Sequence, residues 1–407
     1  MIYSQTPSGL SYAVKRSTGR VAYCSLSIKS GTRAEGNCLE GTAHFVEHTI
    51  FKGTQKRSAK NINSVLDKVG GDLNAYTTKE EIVLHATVLK EDMKKAVDLL
   101  LELATQATFP QTEIETEKGV VIDEIIFYRD SPSDDIMDSF ESRFFAGHSL
   151  GRLTLGTEDS VRSITREDLL DYYHRNFIPQ NMVLSIVADE EESRLEKLAL
   201  SLCNKYCPEA VQQNMEPELA PVPSVFAIRE DKRNHEANLV LGVEAPSLYD
   251  GKKRLTAVLL CNILGGPAGN SLLNAELREK HGWVYAADCN YSQYRDSGLM
   301  TISIGCDKEN LTNCLKAIAR ILDKLKCTAL SESALKAAKK QLFGQLAISS
   351  DSRENQCLSM GKSGLAFGRI ISDKESSAII EAITPEDLRA LASEIWADDR
   401  VSELIYF

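Results

Sequence analysis

Near its midpoint the 407-residue chain runs through PEAVQQNMEPELAPVPSVF (208–226), where Pro208, Pro217, Pro221 and Pro223 stand in polar surroundings. A proline lacks the amide N–H and collides with the preceding helical turn, so no helix crosses this segment. The stretches on either side share one grammar. Before it come a strand (VAYCSLSI, 21–28), a short helix after a glycine-containing loop (GTAHFVEHTIFKG) and a helix closed by glycines (AKNINSVLDKVGG, 59–71). An antiparallel pair (DLNAYTT, 72–78; EIVLHATVL, 81–89), two long amphipathic helices (EDMKKAVDLLLELATQA and QTEIETEKGVVIDEIIFYRD) and the strand NMVLSIVAD (181–189) complete that half. After it come the strand ANLVLGVEAP, the helix KRLTAVLLCNIL, a Gly-Gly break, the helix NSLLNAELREKHG and the strands VYAADCNYSQ and GLMTISIGCD. Matching order argues for duplication of one α+β unit. The predicted fold class is therefore α+β, with two duplicated domains at 1–207 and 227–407, each an antiparallel-rich sheet packed with helices, joined by a linker at 208–226.

Length supports that division, because a chain of this size outgrows one hydrophobic core. The formal net charge of −11 opposes a nucleic-acid partner, which needs clustered Lys and Arg. The ten cysteines are scattered, and CNKYC (203–207) has no second pair spaced to complete a zinc knuckle, so free thiols in a reducing compartment are expected. The N-terminal stretch has no basic head followed by an apolar run and a cleavage site, and no window reaches the roughly 18 uncharged apolar residues of a membrane span. These features predict a cytoplasmic protein with no membrane association, or a periplasmic or organellar one if a leader has been removed.

In HFVEH, His44 and His48 are four residues apart and share one helical face, with Glu47 beside them. Two imidazoles can hold one metal ion, but a catalytic zinc takes three protein ligands and keeps a fourth position for water. The 111–129 helix offers Glu113, Glu117 and Glu124 on nearly one stripe, and Glu124 sits between VVI and IIF, where an unpaired carboxylate is costly. By itself the pattern fits either a metal site or two histidines on a packed helix face. His85, in an alternating strand, is expected to pack rather than ligate. The second half has no counterpart of the histidine pair.

His-x-x-Glu-His is the inverted zincin order, and the chain resembles the inverzincin metallopeptidases, which include pitrilysin, insulin-degrading enzyme and the mitochondrial processing peptidase. It is most similar to the small two-domain bacterial members related to the processing peptidase. The likeness continues through FKGT (51–54), GGDLNAYT (70–77), a glutamate with 75 residues between it and His48, another glutamate seven residues earlier, and an Arg and a Tyr seven apart in LGGPAGNSLLNAELREKHGWVY (264–285). The resemblance implies that His44, His48 and Glu124 hold one zinc per chain and that Glu47 acts as general base on the attacking water. It implies that Glu117 supports the ligands from outside, that Arg278 and Tyr285 bind the substrate carbonyl and its oxyanion, and that the strand at Asn74 and Ala75 pairs with the peptide backbone.

The implied activity is a zinc-dependent endopeptidase acting on unstructured peptides. The resemblance, whose long-chain relatives close four such domains as a clamshell, implies that two domains make half of one, so a homodimer with active sites completed in trans is expected. Two other readings remain open at this stage. One is a non-catalytic structural or partner-binding subunit of the same fold; the other is a presequence-processing subunit working with a separate partner.

Overall fold

The computed structural model describes residues 1–211, 219–221 and 223–407; residues 212–218 and 222 of the expected linker lie outside the described residues. The chain forms two compact units, each a mixed sheet covered by helices, as the α+β expectation requires. The first contains strands β1 (Ile2–Gln5), β2 (Ser11–Arg16), β3 (Val21–Ile28), β4 (Asp72–Thr77), β5 (Ile82–Leu89) and β6 (Met182–Ala188) in the order β1-β2-β6-β3-β5-β4. The second contains β7 (Ala227–Glu230), β8 (Glu236–Glu244), β9 (Val284–Gln293), β10 (Gly298–Asp307) and β11 (Ser402–Tyr406) in the order β7-β11-β8-β10-β9.

Duplication is visible in the topology. β6-β3-β5-β4 and β11-β8-β10-β9 each place their four strands fourth, first, third, second in chain order. Each group also takes a parallel neighbour on its fourth strand, β2 on β6 and β7 on β11, while the other pairings are antiparallel. In both units the second strand, β4 or β9, is left at the sheet edge.

The first-unit helices that position the site are α1 (Thr42–Thr49), α2 (Ala59–Asp67), α3 (Met93–Gln106) and α4 (Gln111–Arg129). Strand alternation assigns the faces of their sheet. On β3, Ala22, Cys24, Leu26 and Ile28 enter a core shared with Leu99, Leu100 and Leu103 of α3. The opposite face carries Ser25 and Ser27, both buried, and is covered by the helix Arg353–Phe367. That helix lies close because it presents glycines. A Cβ on Gly361 would fall 2.2 Å from Ser27 Oγ, and one on Gly364 would fall 2.9 Å from Val183 Cγ1.

The expected boundaries need correction here, because the units exchange segments. Residues 348–371 belong to the first unit, and 128–151 belong to the second. The latter carry α5 (Pro132–Phe144), whose Ile136, Phe140 and Phe144 pack with Val240, Leu299, Leu404 and Tyr406 on the second sheet. Gly242 makes room for Phe140, since a Cβ there would meet the ring at 2.4 Å. The division into contiguous halves at 207 and 227 therefore fails: each sheet receives one covering helix from the other half of the chain. Among the described residues no helix is long and apolar enough to cross a membrane, and the ten cysteines are free thiols.

Candidate active site

Helix α1 begins at Gly41, whose left-handed φ of 87° makes glycine the natural residue at this N-cap. Phe45 and Val46 lock the helix into the core while the 44–47–48 face turns toward α4. His44 and His48 sit one turn apart, edge to face, their ring centroids 4.5 Å from each other at 63°. Both Nε2 atoms converge on one oxygen of Glu124, at 3.8 Å from His44 and 3.4 Å from His48. The three donor atoms lie within 4.8 Å of one another, the one such His/Cys/Asp/Glu group among the described residues. Tetrahedral bonds of ~2.0–2.1 Å put donor atoms roughly 3.3–3.5 Å apart. The donor set therefore fits a small divalent ion after minor side-chain adjustment.

Glu117 lies seven residues, close to two full turns, before Glu124 on α4 and is buried. Its Oε1 is 3.0 Å from His48 Nδ1, and its Oε2 pairs with Lys52 Nζ at 2.6 Å. An acceptor on Nδ1 fixes the tautomer that leaves Nε2 free to ligate. His44 lacks this support; its buried Nδ1 has no hydrogen-bond partner. Glu113 takes no part in the cluster.

The electrostatics divide the two imidazoles. Burial, then the neighbouring His48, pulls His44 down to about 4, against the attraction of Glu124. For His48 burial also acts downward, but hydrogen bonds to Glu117 and Glu124 and the nearby Glu47 charge raise it to about 9. Glu124 is lowered, first by its bond from His48 and then, against burial, by both imidazole charges. For Glu117, burial acts upward but its bonds from His48 and Lys52 prevail and lower it.

Glu47 points to the same side of α1. Its Oε2 accepts a hydrogen bond from Thr77 Oγ1, at the end of β4, at 3.0 Å. Burial raises its carboxyl, offset in part by His48 and by the Thr77 hydroxyl. A carboxylate held in place with raised basicity is suited to accept a proton.

Asn74 and Ala75 lie on β4, which pairs with β5 on one side only and so presents an open main-chain edge. Asn74 is exposed, its amide donating to Asp72 at 2.8 Å. His85 packs as expected, against Tyr76 and within 3.5 Å of Glu354. Arg278 and Tyr285 lie in the second unit. Arg278 sits on Asn274–Lys280, where a plain helix was expected and a π-helix forms, a geometry frequent at functional positions. Tyr285, the second residue of β9, is 73% exposed and borders a cavity of about 580 Å³ shared with Arg233, His235 and Asp288. Sequence reasoning did not single out Thr77 or Lys52, although both lie in the quoted NAYTT and FKGT stretches.

Fold and donor set together define a class: a peptidase of duplicated α+β units with an inverted His-x-x-Glu-His helix. The insulinase (peptidase family M16) profile matches residues 12–158, and the M16 inactive-domain profile matches 163–342. The chain belongs to the M16, pitrilysin-like, peptidase family. It is 30% identical over 379 residues to the uncharacterized zinc protease YmxG of Bacillus subtilis, covering 93% of this chain and 91% of that one. It is 29% identical over 372 residues to an uncharacterized zinc protease of Streptomyces coelicolor, covering 90% and 80%. In fold it is similar to a Helicobacter pylori protease (TM-score 0.90, 18% identity, covering 100% of this chain and 98% of that one). A Pseudomonas fluorescens structure described as a peptidase M16 inactive domain superposes comparably (TM-score 0.89, 18% identity, covering 100% and 97%).

Proposed function

We propose that this protein is a zinc-dependent endopeptidase that hydrolyses unstructured peptides. The observation that carries this reading is the convergence of His44 Nε2, His48 Nε2 and Glu124 Oε2, with Glu47 held beside them by Thr77. His44, His48 and Glu124 would hold the zinc, a choice supported by two imidazoles with one carboxylate and by the zinc-protease names of the relatives. When bound, the ion supplies Lewis acidity and brings the pKa of a coordinated water toward ~7.

The remaining roles belong to protein groups. Glu47 takes the proton of the attacking water and delivers it to the leaving amine. Glu117 orients His48 and balances Lys52. The open edge of β4 at Asn74 and Ala75 receives the peptide as an added strand, reading backbone and tolerating many side chains. Arg278 and Tyr285 hold the substrate carbonyl and stabilise its oxyanion. Because those two stand in the unit without the histidine pair, the reading includes a homodimer whose two active sites are each completed in trans, around a chamber that admits flexible chains.

The test is hydrolysis of a quenched, unstructured peptide before and after chelation, after zinc restoration, and by Glu47→Gln. Cleavage lost on chelation, regained with zinc and absent from the variant is the expected result. A wild-type protein with bound zinc that cuts no flexible peptide would overturn it.

A further inference from the structure

The helix that carries the two histidines is gripped at its N-terminus by side chains the proposed chemistry does not use. Glu35, in the loop before α1, is fully buried. Its Oε1 accepts the N–H of Ala43 at 3.1 Å, one of the first-turn donors that no carbonyl within the helix can satisfy. Its Oε2 accepts from Arg152 Nη1 at 3.2 Å. The same guanidinium donates to the carbonyls of Cys38 at 3.1 Å and Gly36 at 2.8 Å, so one planar fork ties the loop together along its length. Arg152 also reaches the base-holding hairpin: its own carbonyl accepts from Lys79 Nζ, two residues beyond Thr77. The fit around this clamp is tight, since a Cβ on Gly41 would lie 2.6 Å from the Leu155 carbonyl oxygen, and one on Gly156 would lie 2.5 Å from that of Glu40.

The chain path gives the clamp a second meaning. The exchanged segment leaves the first unit at Tyr128, four residues after Glu124 on the same helix, and the first residue on return is Arg152. One end of the excursion is therefore continuous with the helix of Glu124. The other end is bonded to the loop that leads into His44 and His48.

We propose that Arg152, acting through Glu35, is a positioning residue that sets α1 against α4 and so keeps both Nε2 atoms on Glu124. The proposal rests on the metallopeptidase reading above. Without the fork, the loop at 35–41 loses three anchors and Ala43 loses an ordered acceptor, so the ligand triangle loosens while the peptide-binding edge of β4 is untouched. Lysine restores the charge but not three directed bonds, so it rescues only in part.

The experiment compares full-length wild type with Arg152→Ala, Arg152→Lys and Glu35→Gln. Leu202→Ala, a buried leucine of the same core, serves as a control for general loss of stability. Zinc affinity by competition with a chromophoric chelator, the visible spectrum of the cobalt-loaded protein, and kcat and KM on the quenched peptide are measured for each. Arg152→Ala is expected to weaken metal binding roughly 10- to 100-fold, as loss of an outer partner does. It should also alter the cobalt spectrum and lower kcat with KM nearly unchanged, with Arg152→Lys intermediate and Leu202→Ala like wild type. Should Arg152→Ala fail to fold, Arg152→Lys and Glu35→Gln carry the same comparison. Wild-type metal affinity and cobalt spectrum in the Arg152 and Glu35 variants would overturn the proposal, as would a Leu202→Ala control that reproduces their changes. A wild-type protein that binds neither ion and cuts nothing would instead overturn the peptidase reading, which separates the two failures.

Discussion

Thr77→Val removes one hydroxyl and keeps the shape of the side chain, which isolates the 3.0 Å bond from Thr77 to Glu47. The hydroxyl can only donate to an ionised carboxylate, so it favours the charged form and lowers the Glu47 pKa against the upward pull of burial. Hydrogen bonds to charged groups contribute ~1.5–3 kcal/mol, and one pKa unit corresponds to ~1.4 kcal/mol. With Glu47 only half-buried the lower end applies, and the expected rise is about one unit. A general base is inactive when protonated, so the acid limb of kcat/KM moves upward by about one pH unit. Activity then falls about tenfold on the acid limb and by less than about twofold on the plateau. The assay is a pH profile of quenched-peptide hydrolysis at saturating zinc. An acid limb that stays in place, or a loss equal at every pH, would refute the assignment of Thr77 as the group that tunes Glu47.

Glu117→Gln keeps an oxygen for His48 but removes the charge that balances Lys52, and zinc affinity should drop roughly 10- to 100-fold in chelator competition. Gly361→Ala and Gly344→Ala make the same change in two helices with opposite expected signs. The first meets Ser27 Oγ at 2.2 Å and should lose about 1–2 kcal/mol in urea unfolding, whereas the second meets nothing within 4 Å and should gain about 0.5–1 kcal/mol. Burial pushes Glu35 up to about 7, against its bonds from Ala43 and Arg152. Its folded pKa thus exceeds the unfolded value near ~4.5, and the folded state holds the proton longer as pH rises. Relative to Glu35→Gln, wild-type stability should therefore decline by about 3 kcal/mol between pH ~4.5 and 7 and stay level above that, read from unfolding curves at each pH.

The candidate ligand cluster was legible because its spacing is set by local geometry: four residues put His44 and His48 on one face, and seven put Glu117 and Glu124 on one stripe. The sheet strands were legible through alternation, as in β3 and β5. The exchange of helices was not, since the apolar stripe of α5 shows that Ile136, Phe140 and Phe144 must be covered but not by which sheet. Gly361 and Gly364 read as ordinary weak points of a helix until Ser27 and Val183 are seen beneath them. Glu35 and Arg152 are 117 residues apart, and nothing periodic links them. The π-helical winding around Arg278 likewise leaves no mark in a pattern that suits any helix.

The crossing of segments between units bears on how the protein is made. A ribosome that has delivered the first 211 residues has produced every strand of the first sheet, yet the helix that covers its serine-lined face lies at 353–367. At ~5–20 residues per second that helix emerges on the order of ten to thirty seconds later. Through that interval α5, already synthesised, waits with Phe140 and Phe144 while the second sheet gains β8 and β10 but still lacks Leu404 and Tyr406 of β11. The nascent chain must hold two incompletely covered faces through that interval, so completion of the first unit waits on a helix made after most of the second sheet.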